Sequence, residues 1–600
     1  MKCHLSSLLC CLVLALASPP VRAADRILLA SLAPSKAVLY LSQADGSGER
    51  SLLPPGTFDY NPSWSPKGDW IAFTSERNGS ADLYRVHPDG KGLERLTADP
   101  AYDDQAAFSP DENQLVFVST RAAGFANLWI LDLASRKAHA LTSGHGGDFR
   151  PAWSPDGQWI AFSSDRDSNL PDAKGRWERL HIAGIYVIHP DGTGLKRLTP
   201  PDDNFCGSPK WSTDSKILIV YCMIGQDTWD NRVGQDKTDD TLKKIDVASG
   251  AASTVAATSG TKEAPFLLPS GDVGYLRRDQ VQPGVSYTSG KRGPSGADLR
   301  VPSWSPDGSQ LVYARFASER NLDPRRLWSR NPKFEVYTTE FLPAVDTAHG
   351  RLATTSPEAG KFHLYVMETG KPARSILERP GLMLAPQWSA DGKRIVLGVG
   401  LFSAFLDFTV GNKKPVDPVN GGAQVAIIND DGSGFQVLTS GTNNNAFPSF
   451  APDGKRIVYR TQGPEDQGLR IMTLADRSVT KLTGAWDNFP IWSPRGDRIA
   501  FVRRNSAGDF QIFTIHPDGS GLTQLTRTHG NDAHLAWSPD GERLLFATSR
   551  MGFKDEALYT EAPQPYGEIF AMKADGTEVQ QLTDDQWEQG GPAWMPEKRK

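Results

Sequence analysis

What this sequence most clearly lacks is an excess of basic residues. Its 65 Lys and Arg residues are outnumbered by 70 Asp and Glu residues, and the formal net charge is −5. A protein that neutralises the phosphates of nucleic acid needs a positive surface, so we do not expect nucleic acid as a partner. Apart from one apolar run near the N-terminus, no segment approaches the roughly 20 apolar residues that a membrane-spanning helix needs.

Familiar catalytic and metal-binding motifs are also missing. The sequence contains no Gly-x-Ser-x-Gly, His-Glu-x-x-His, Cys-x-x-Cys or phosphate-loop pattern. His529 and His534 flank Asp532 in one segment and are the nearest candidates for metal ligands. The segment from Asp165 resembles the start of a calcium loop, but it lacks the glycine and the final glutamate of that loop. We therefore expect no catalytic residues and no cofactor, with a structural cation such as calcium as the alternative.

The one apolar run, Leu5 to Ala17, follows a short basic start at Met1-Lys2. It is too short to cross a bilayer, and Val21-Arg22-Ala23 supplies small residues at the spacing that signal peptidase requires. We interpret residues 1–23 as a secretory signal peptide, with a membrane anchor as the alternative. On this interpretation the mature protein is periplasmic or secreted and does not span the membrane.

Cysteine is scarce, and three of the five cysteines fall within the predicted signal peptide. The remaining pair, Cys206 and Cys222, flanks a turn centred near Asp214. A hairpin folded about that turn places the two residues opposite each other, so an oxidising compartment permits a cross-strand disulfide. Two free buried thiols are the alternative.

What the sequence has in abundance is one repeated phrase. PSWSPKGDWIAF begins at Pro62 and returns as PAWSPDGQWIAF at Pro151 and as PSWSPDGSQLVY at Pro302. Its Pro, Asp and Gly form a tight turn between two runs rich in β-branched and aromatic residues, which is typical of a hairpin. A second hairpin follows in many repeats, as in LYRVHPDGKGLERLT from Leu83. Two hairpins make a four-stranded antiparallel unit that must stack on its neighbours to bury both faces, so we predict an all-β fold, a β-propeller.

The number of repeats predicts the number of blades. First strands begin at Pro62, Ala106, Pro151, Pro209, Pro265, Pro302, Leu342, Pro386, Pro448, Pro490, Leu535 and Pro592. The mature N-terminus adds three strands that lack a first strand of their own. We assign these to Ile27–Ala30, Ala37–Leu41 and Glu49–Leu53.

Propellers usually close by sharing one blade between early and late strands of the chain. We expect the strand at Pro302 to complete the N-terminal blade, and the strand at Pro592 to complete a blade begun by Leu311-Val312-Tyr313. The prediction is two consecutive six-bladed propellers with four-stranded antiparallel blades, at residues 24–305 and 306–600, the second closed by the C-terminal strand. One very large ring is the alternative.

These phrases resemble the repeat of the TolB-like propeller family, which has the same xPxWSPDGxxIAF pattern. The resemblance covers nearly all of the mature chain. It implies six-bladed rings, a Gram-negative envelope, and a channel face that docks an envelope lipoprotein. TolB itself has an α/β domain before its propeller, whereas here we expect the first strand almost at the cleavage site.

Two groups of residues are candidates for binding. The first lies in long insertions predicted on one face, where Trp177, Trp229 and Trp328 suit a protein interface. Their alternative role is to fold back as small satellite cores. The second group lies five positions before the motif Trp or Phe: Asp59, Asp103, Asp148, Asn445, Asp487 and Asp532.

Neighbouring blades bring the second group towards the channel mouth. A ring of carboxylates there would bind a cation or a basic segment of a partner. Alternatively, each carboxylate caps local backbone N–H groups or ties one blade to the next.

The function we predict is that of an exported scaffold that binds a protein partner of the cell envelope through its loop-rich face. By the family resemblance, an envelope lipoprotein is the partner. The alternative is a propeller enzyme, a lyase or hydrolase that acts on a polysaccharide or peptide in the channel.

Overall fold

The fold is all-β throughout the part of the chain that the computed structural model describes. Its strands form twelve four-stranded sheets. The described residues are 24–31, 33–54, 58–122, 124–167, 182–201, 204–224, 239–279, 281–317, 322, 324–339, 342–358, 361–400, 422–463, 466–506, 508–550, 555–556, 567–587 and 589–596. The predicted signal peptide, residues 1–23, lies outside them.

Six sheets form what we call the first ring. Its strands are β2 (Lys36–Gln43), β3 (Arg50–Ser51), β4 (Asp59–Trp64), β5 (Ile71–Ser75), β6 (Asp82–Val86), β7 (Glu94–Arg95), β8 (Asp103–Phe108), β9 (Gln114–Ser119), β10 (Asn127–Asp132), β11 (Ala138–Ala140), β12 (Asp148–Trp153), β13 (Ile160–Ser164), β14 (Gly184–Ile188), β15 (Lys196–Arg197), β16 (Asn204–Trp211), β17 (Ile217–Ile224), β18 (Thr241–Asp246), β19 (Ala252–Ala256), β20 (Glu263–Leu267), β21 (Val273–Arg277), β22 (Gly284–Tyr287), β23 (Arg292–Ser295), β24 (Leu299–Trp304) and β25 (Gln310–Ala317).

The other six sheets form the second ring. Its strands are β1 (Asp25–Ser31), β26 (Arg325–Leu327), β27 (Phe334–Thr339), β28 (Ala344–Asp346), β29 (Arg351–Glu358), β30 (Lys361–Met367), β31 (Arg374–Arg379), β32 (Met383–Trp388), β33 (Arg394–Val399), β34 (Gln424–Asn429), β35 (Gln436–Val437), β36 (Asn444–Phe450), β37 (Arg456–Gln462), β38 (Gln467–Thr473), β39 (Val479–Lys481), β40 (Asp487–Trp492), β41 (Ile499–Arg504), β42 (Phe510–Ile515), β43 (Thr523–Gln524), β44 (Asp532–Trp537), β45 (Arg543–Thr548), β46 (Glu568–Lys573), β47 (Gln580–Gln581) and β48 (Gln589–Trp594).

The innermost strands close two separate cycles. In the first ring β4, β8, β12, β16, β20 and β24 touch in that order, and β24 touches β4 again. In the second ring β28, β32, β36, β40, β44 and β48 do the same. The prediction of two six-bladed propellers is therefore confirmed, and the single large ring is wrong.

The first ring is closed by a blade made from both of its ends. β24 and β25 pair with β2 and β3, so that Leu311 in β25 lies opposite Ser42 in β2. The strand at Pro302 does complete the blade of β2 and β3, as predicted. However, Leu311-Val312-Tyr313 also belongs to this blade, so the first ring extends past residue 305 to Ala317.

The second ring is closed by the strand that begins the described chain. β1 lies between β48, to which it is antiparallel, and β27, to which it is parallel. The predicted blade of three N-terminal strands is thus corrected: β1 enters the second ring, whereas β2 and β3 enter the first. Likewise, β48 with Pro592 completes the blade of β1 and not one begun at Leu311. Hydrophobic burial stabilises this placement, because Ile27 and Leu29 are fully buried in a core with Val336 and Trp594.

The repeated phrase builds each hairpin through its turn. In the third repeat the hydroxyl of Ser154 donates to Asp156 at 2.6 Å and accepts from the backbone N–H of Trp159 at 2.9 Å. Gly157 follows with φ of +73°, a conformation that favours glycine. The last residue of the phrase, such as Phe162, lies fully buried in the second strand of the blade, where the blades pack on each other.

Cys206 and Cys222 form a disulfide between β16 and β17. They are direct cross-strand partners, in the register expected from the turn at Asp214. Both residues are buried, so the bond lies within the blade and not at its surface.

Candidate functional site: the channel of the first ring

A cavity of about 470 Å³ lies on the axis of the first ring. All six innermost strands contribute to its lining. Its wall carries the aromatic residues of the repeated phrase: Trp64, Phe108, Trp153, Trp211, Phe266 and Trp304. Its rim is formed by exposed turn residues, among them Pro66, Pro155 and Pro306. The cavity is therefore an aromatic funnel that opens on the face of the turns between first and second strands.

One backbone position in each blade selects what faces the axis. It is the residue before the proline that opens the repeated phrase; in two blades, Ala106 or Leu535 replaces that proline. This residue has a positive φ in every blade except the one that contains β28. The ladder between first and second strands shifts register there, which is a β-bulge that turns the side chain inward. The residues are Asn61, Gln105, Arg150, Ser208, Ala264 and Val301 in the first ring, and Ala385, Phe447, Phe489, His534 and Gly591 in the second.

The floor of the first-ring channel is organised by Arg150. Its guanidinium donates through Nη1 to Asn61 Oδ1 at 3.2 Å, and its backbone N–H donates to Gln105 Oε1 at 2.7 Å. Its Nε lies 3.1 Å from Oδ1 of Asp555, and its Nη2 bonds the other carboxylate oxygen. Because Asp555 belongs to the second ring, this two-point ion pair joins the rings at the channel floor.

Glu556 enters the floor beside Asp555 and is only 2% exposed. Its carboxylate accepts hydrogen bonds from the backbone N–H of Ser208 at 2.9 Å and from the hydroxyls of Ser208 and Ser163. A Cβ on Gly207 would lie 2.6 Å from Oε2 of Glu556, so only glycine leaves room for the carboxylate. The floor is thus shaped around a carboxylate that the second ring supplies.

Two further ionisable groups line the cavity. Burial, with the nearby charge of Arg150, lowers the pKa of Lys210 to about 8. Burial raises the pKa of Glu263 to about 7, against the opposing effect of nearby arginines. One carboxyl oxygen of Glu263 has no hydrogen-bond partner among the described residues. Both groups can therefore exchange a proton, or bind a polar ligand, close to neutral pH.

The second-ring channel is filled by its own side chains. The rings of Phe447 and Phe489 lie 4.4 Å apart, and the imidazole of His534 stands edge-on to Phe489 at 4.5 Å. The remaining cavity there is about 60 Å³. Burial lowers the pKa of His534 to about 4, and its Nδ1 accepts the backbone N–H of Gly591 at 3.2 Å. This histidine therefore packs as a neutral ring in the channel.

A second contact between the rings lies beside the channel. Asp584 of the second ring accepts a hydrogen bond from Thr120 at 3.1 Å. Trp587 packs edge-on against Tyr60, and its indole N–H donates to Glu76 at 3.0 Å. A chain of hydrogen bonds links this contact to the channel floor through Glu76, Tyr60, Tyr102, Asp104, Asn61 and Arg150.

The segments that meet here lie on the corresponding face of each ring. Asp555 lies between the second and third strands of its blade, and Trp587 lies before the first strand of the next. Both contact the starts of first strands in the first ring. The faces that carry these long loops are therefore turned towards each other at this contact, although the sequence suggested that they were free for a partner.

The predicted ring of carboxylates is built into the blades. Asp59, Asp103, Asp148, Asp487 and Asp532 each open a first strand and are at most 3% exposed. Each forms an ion pair with an arginine at the end of the second strand of its own blade: Arg77, Arg121, Arg166, Arg503 and Arg550. We call each pair an Asp–Arg clasp.

Each clasp is reinforced by neighbours. In the blade of Asp148 the guanidinium of Arg166 lies 5.3 Å from the ring centre of Phe162. In the blade of Asp532 the hydroxyl of Thr548 adds a 2.6 Å hydrogen bond. Asn445 takes the equivalent place with Thr461 as its hydrogen-bond donor. Each clasp joins two strands of one blade, which is a structural role different from the backbone cap or the link between blades that the sequence suggested. A ligand-binding role for these side chains stays a prediction.

The remaining candidates are scattered. Trp177 and Trp229 lie outside the described residues. Trp328 is half-buried, and a Cβ on Gly79 of the first ring would lie 2.3 Å from its indole, so it covers that ring. His529 has an almost fully exposed side chain, 3.6 Å from Asp509, whereas His534 is buried in the second-ring channel.

Neither a metal site nor a membrane helix emerges from the described ranges. They contain no group of three or more His, Cys, Asp or Glu side chains that is arranged to hold a metal ion. They also contain no helix long and apolar enough to cross a bilayer.

Sequence reasoning missed the residues that form the channel floor. Arg150 lies two positions after Asp148, at the bulge, and the usable signal was the variation of this position from repeat to repeat. Nothing in the sequence distinguished Asp555 and Glu556 from other acidic pairs in loops.

Loss of one clasp carboxylate should destabilise its blade strongly. In Asp532→Ala, the guanidinium of Arg550, with a side chain 8% exposed, stays buried without its partner. We expect the free energy of unfolding to fall by about 3–5 kcal/mol. Glu542→Ala is the matched control, because it breaks an exposed pair with Arg495 and should cost at most about 1 kcal/mol. Denaturant unfolding measures both, and equal effects would contradict the clasp.

The buried carboxyls should make the protein less stable as pH rises from 5 to 7. Burial raises the pKa of Asp103 to about 6 and that of Glu263 to about 7, and it also raises the pKa of Asp584 and Glu568. The folded state therefore holds protons that the unfolded chain has released, and each group contributes a loss of up to about 1.4 kcal/mol per pH unit. His534 has the opposite effect below about pH 6.5, because the unfolded chain then binds a proton that the buried imidazole does not bind.

The midpoint of denaturant unfolding, followed from pH 5 to pH 7, measures this balance. The Asp103→Asn variant should show a shallower decline than the wild-type protein. A midpoint that rises with pH throughout this range would show that the carboxyls are not held protonated.

Comparison with known proteins places the fold in a family. The model of the TolB beta propeller domain, PD40, matches residues 18–125, 104–273 and 420–560. A Tol-Pal system protein TolB of Francisella tularensis subsp. mediasiatica is 27% identical over 276 residues, which are 40% of this chain and 54% of that protein. An uncharacterized protein of Agrobacterium fabrum is 33% identical over 272 residues, which are 41% of this chain and 84% of that protein.

Among solved structures, TolB from Acinetobacter baumannii aligns with 66% of this chain and 83% of its own, at 16% identity and a TM-score of 0.34. The chain spans about half or less of the length of the TolB relatives that it matches. The matched family model nevertheless covers more than half of its residues, and the chain belongs to the TolB beta-propeller family.

Proposed function

We propose that this chain is an exported scaffold that holds a protein partner of the cell envelope, and that the partner inserts into the channel of the first ring. The observation that carries the proposal is the aromatic funnel of about 470 Å³. Its size falls within the range of ligand cavities, and its wall is largely apolar with a few convergent polar groups at the floor. Aromatic side chains of this kind are the usual anchors of protein interfaces.

The contrast between the two rings supports the choice of channel. In the second ring the bulge residues Phe447, Phe489 and His534 fill the axis. In the first ring, Ala264 and Val301 leave it open, and Arg150 and Ser208 give it a polar floor. Of the two channels, as the described residues form them, that of the first ring therefore has the room for a protein segment.

The accessible entrance is the face of the tight turns. Long loops of the second ring cover the opposite end of the channel through Asp555 and Glu556. The partner would thus approach past Pro66, Pro155 and Pro306, which are exposed. This changes the predicted docking face, since the sequence pointed to the long loops.

An envelope location fits the relatives. Proteins named Tol-Pal system protein TolB match this chain, and we propose for it a comparable place in the periplasm, or secretion, after removal of residues 1–23. An envelope lipoprotein remains the partner that the family suggests.

Catalysis in the same channel is the second candidate function. Glu263 and Lys210 line the cavity, and their pKa values, about 7 and about 8, suit proton transfer at neutral pH. Cleavage of a peptide or polysaccharide by the purified protein, abolished in Glu263→Gln, would favour this function over a scaffold.

Partner capture should depend on the funnel wall. We expect the mature protein to recover a partner from envelope extract, and the variant Trp64→Ala/Trp153→Ala to lose it. Interface tryptophans often contribute 2 kcal/mol or more, so each removal should weaken binding roughly thirtyfold. Quantitative pull-down with mass spectrometry measures the recovered amount.

The matched control is Trp70→Ala/Trp159→Ala. These tryptophans belong to the same two blades but stack on His87 and His189, away from the cavity. Equal recovery by the folded funnel variant and the control variant would place the partner elsewhere. Failure of the wild-type protein to recover any partner would count against the scaffold itself.

A further inference from the structure

The floor of the first-ring channel has the construction of a binding site that is already filled. Its occupant, Asp555–Glu556, comes from the other ring. Asp555 takes the two-point bond of Arg150, and Glu556 takes three donors from Ser163 and Ser208. Charge-assisted, two-point contacts of this kind recognise carboxylates by geometry as well as by charge.

The space at the floor is matched to the occupant. Gly207 lies where any side chain would collide with Oε2 of Glu556. Ser208, at the bulge, turns both its backbone N–H and its hydroxyl to the same carboxylate. The floor therefore holds two carboxylates that are adjacent in sequence, each in its own position.

The charge of the floor depends on this occupant. Arg150 and Lys210 are its cations, and the Asp555 and Glu556 carboxylates oppose them directly. Without the pair, Asp104, which Arg150 faces across Asn61, is the main carboxylate left beside the guanidinium. An emptied floor would thus lose the carboxylates that oppose Arg150 most strongly and keep Asp104 and Glu263 nearby, and its two buried cations would favour an acidic ligand.

The floor is reached from two sides. Asp555–Glu556 approach from the second ring, whereas the aromatic funnel approaches from the exposed rim, and Arg150, Ser208, Lys210 and Glu556 all line the cavity itself. Lys210 lines the same cavity, and Glu556 is the carboxylate whose charge favours its ammonium form.

We propose that the channel floor of the first ring is a recognition site for an acidic peptide segment, and that Asp555–Glu556 is an internal competitor for it. The inference rests on the proposed function for the existence of a protein partner. It adds two points: the partner segment carries two neighbouring carboxylates, and the acidic pair of the second ring regulates access to the site. A partner segment binds when it displaces the acidic pair of the second ring.

The test uses a peptide that the chain itself supplies. The probe is a fluorescein-labelled peptide, GFKDEAL, with the sequence of residues 552–558. Its binding to the full mature protein is measured by fluorescence anisotropy. We expect the variant Asp555→Ala/Glu556→Ala to bind this peptide at least tenfold more tightly than the wild-type protein does, because its floor is empty.

Two controls assign the binding to the floor. The peptide GFKNQAL, with amides in place of the carboxylates, should bind the emptied variant at least tenfold more weakly. Adding Arg150→Gln to the emptied variant should also abolish binding of GFKDEAL. Equal affinity of the wild-type and emptied proteins for GFKDEAL, or equal affinity of the emptied protein for both peptides, would overturn the proposal.

A thermal melt covers the case in which the emptied variant is unstable. If the floor accepts the acidic pair in trans, GFKDEAL should raise the Tm of that variant by several degrees and GFKNQAL should not. No rise with either peptide, together with no binding, would overturn the proposal. The peptide assay needs no cellular partner, so its result is separate from failure of the pull-down that tests the proposed function.

Discussion

Ring closure is the constraint on which the rest of this structure depends. A four-stranded blade has two apolar faces, and both are covered only when the blades pack against each other in a complete ring. Here one short N-terminal stretch closes both rings: β1 pairs with β27 and β48 in the second, and β2 pairs with β25 in the first. The chain crosses from one ring to the other between Ser31 and Lys36. Each ring is therefore completed by a strand whose neighbour in sequence belongs to the other ring.

That crossing places the two rings where their long loops meet. Asp555–Glu556 reaches Arg150 and Ser208, and Trp587 reaches Tyr60. The described residues of these loops are thereby used between the rings, and we propose the turn face of the first ring as the entrance to its channel. Closure therefore determines which surface is available for function.

The repeat made the fold largely predictable. Proline, aspartate and glycine turns fixed the hairpins, and twelve copies fixed the blade number and the register of Cys206 with Cys222. The strands that pair with β1 could not be predicted, because the sequence pattern of a short strand indicates that it joins a sheet but does not identify its neighbours. Its apolar residues, such as Ile27, fit a core in either ring, and only tertiary packing decides between them.

The candidate site was less predictable for a related reason. The aspartates were correctly found as a recurring feature, but their recurrence reflected a clasp that five blades share. The channel depends instead on a position that varies from repeat to repeat. At that position Arg150 and Phe489 both have a positive φ. Arg150 gives the channel of the first ring a polar floor, whereas Phe489 fills the axis of the second ring. The acidic occupant of the floor is a long-range contact that no local pattern encodes.

The most direct test of this account is hydrogen exchange, followed by mass spectrometry, on the mature protein with Ile27→Ala. The substitution opens a cavity in the core of β1, and Leu39→Ala does the same in β2 as the matched control. If one N-terminal stretch closes both rings, Ile27→Ala will speed exchange in residues 334–339 and 532–594, and Leu39→Ala will speed it in residues 299–317. Faster exchange in residues 299–317 for Ile27→Ala, with the second ring unchanged, would contradict the account.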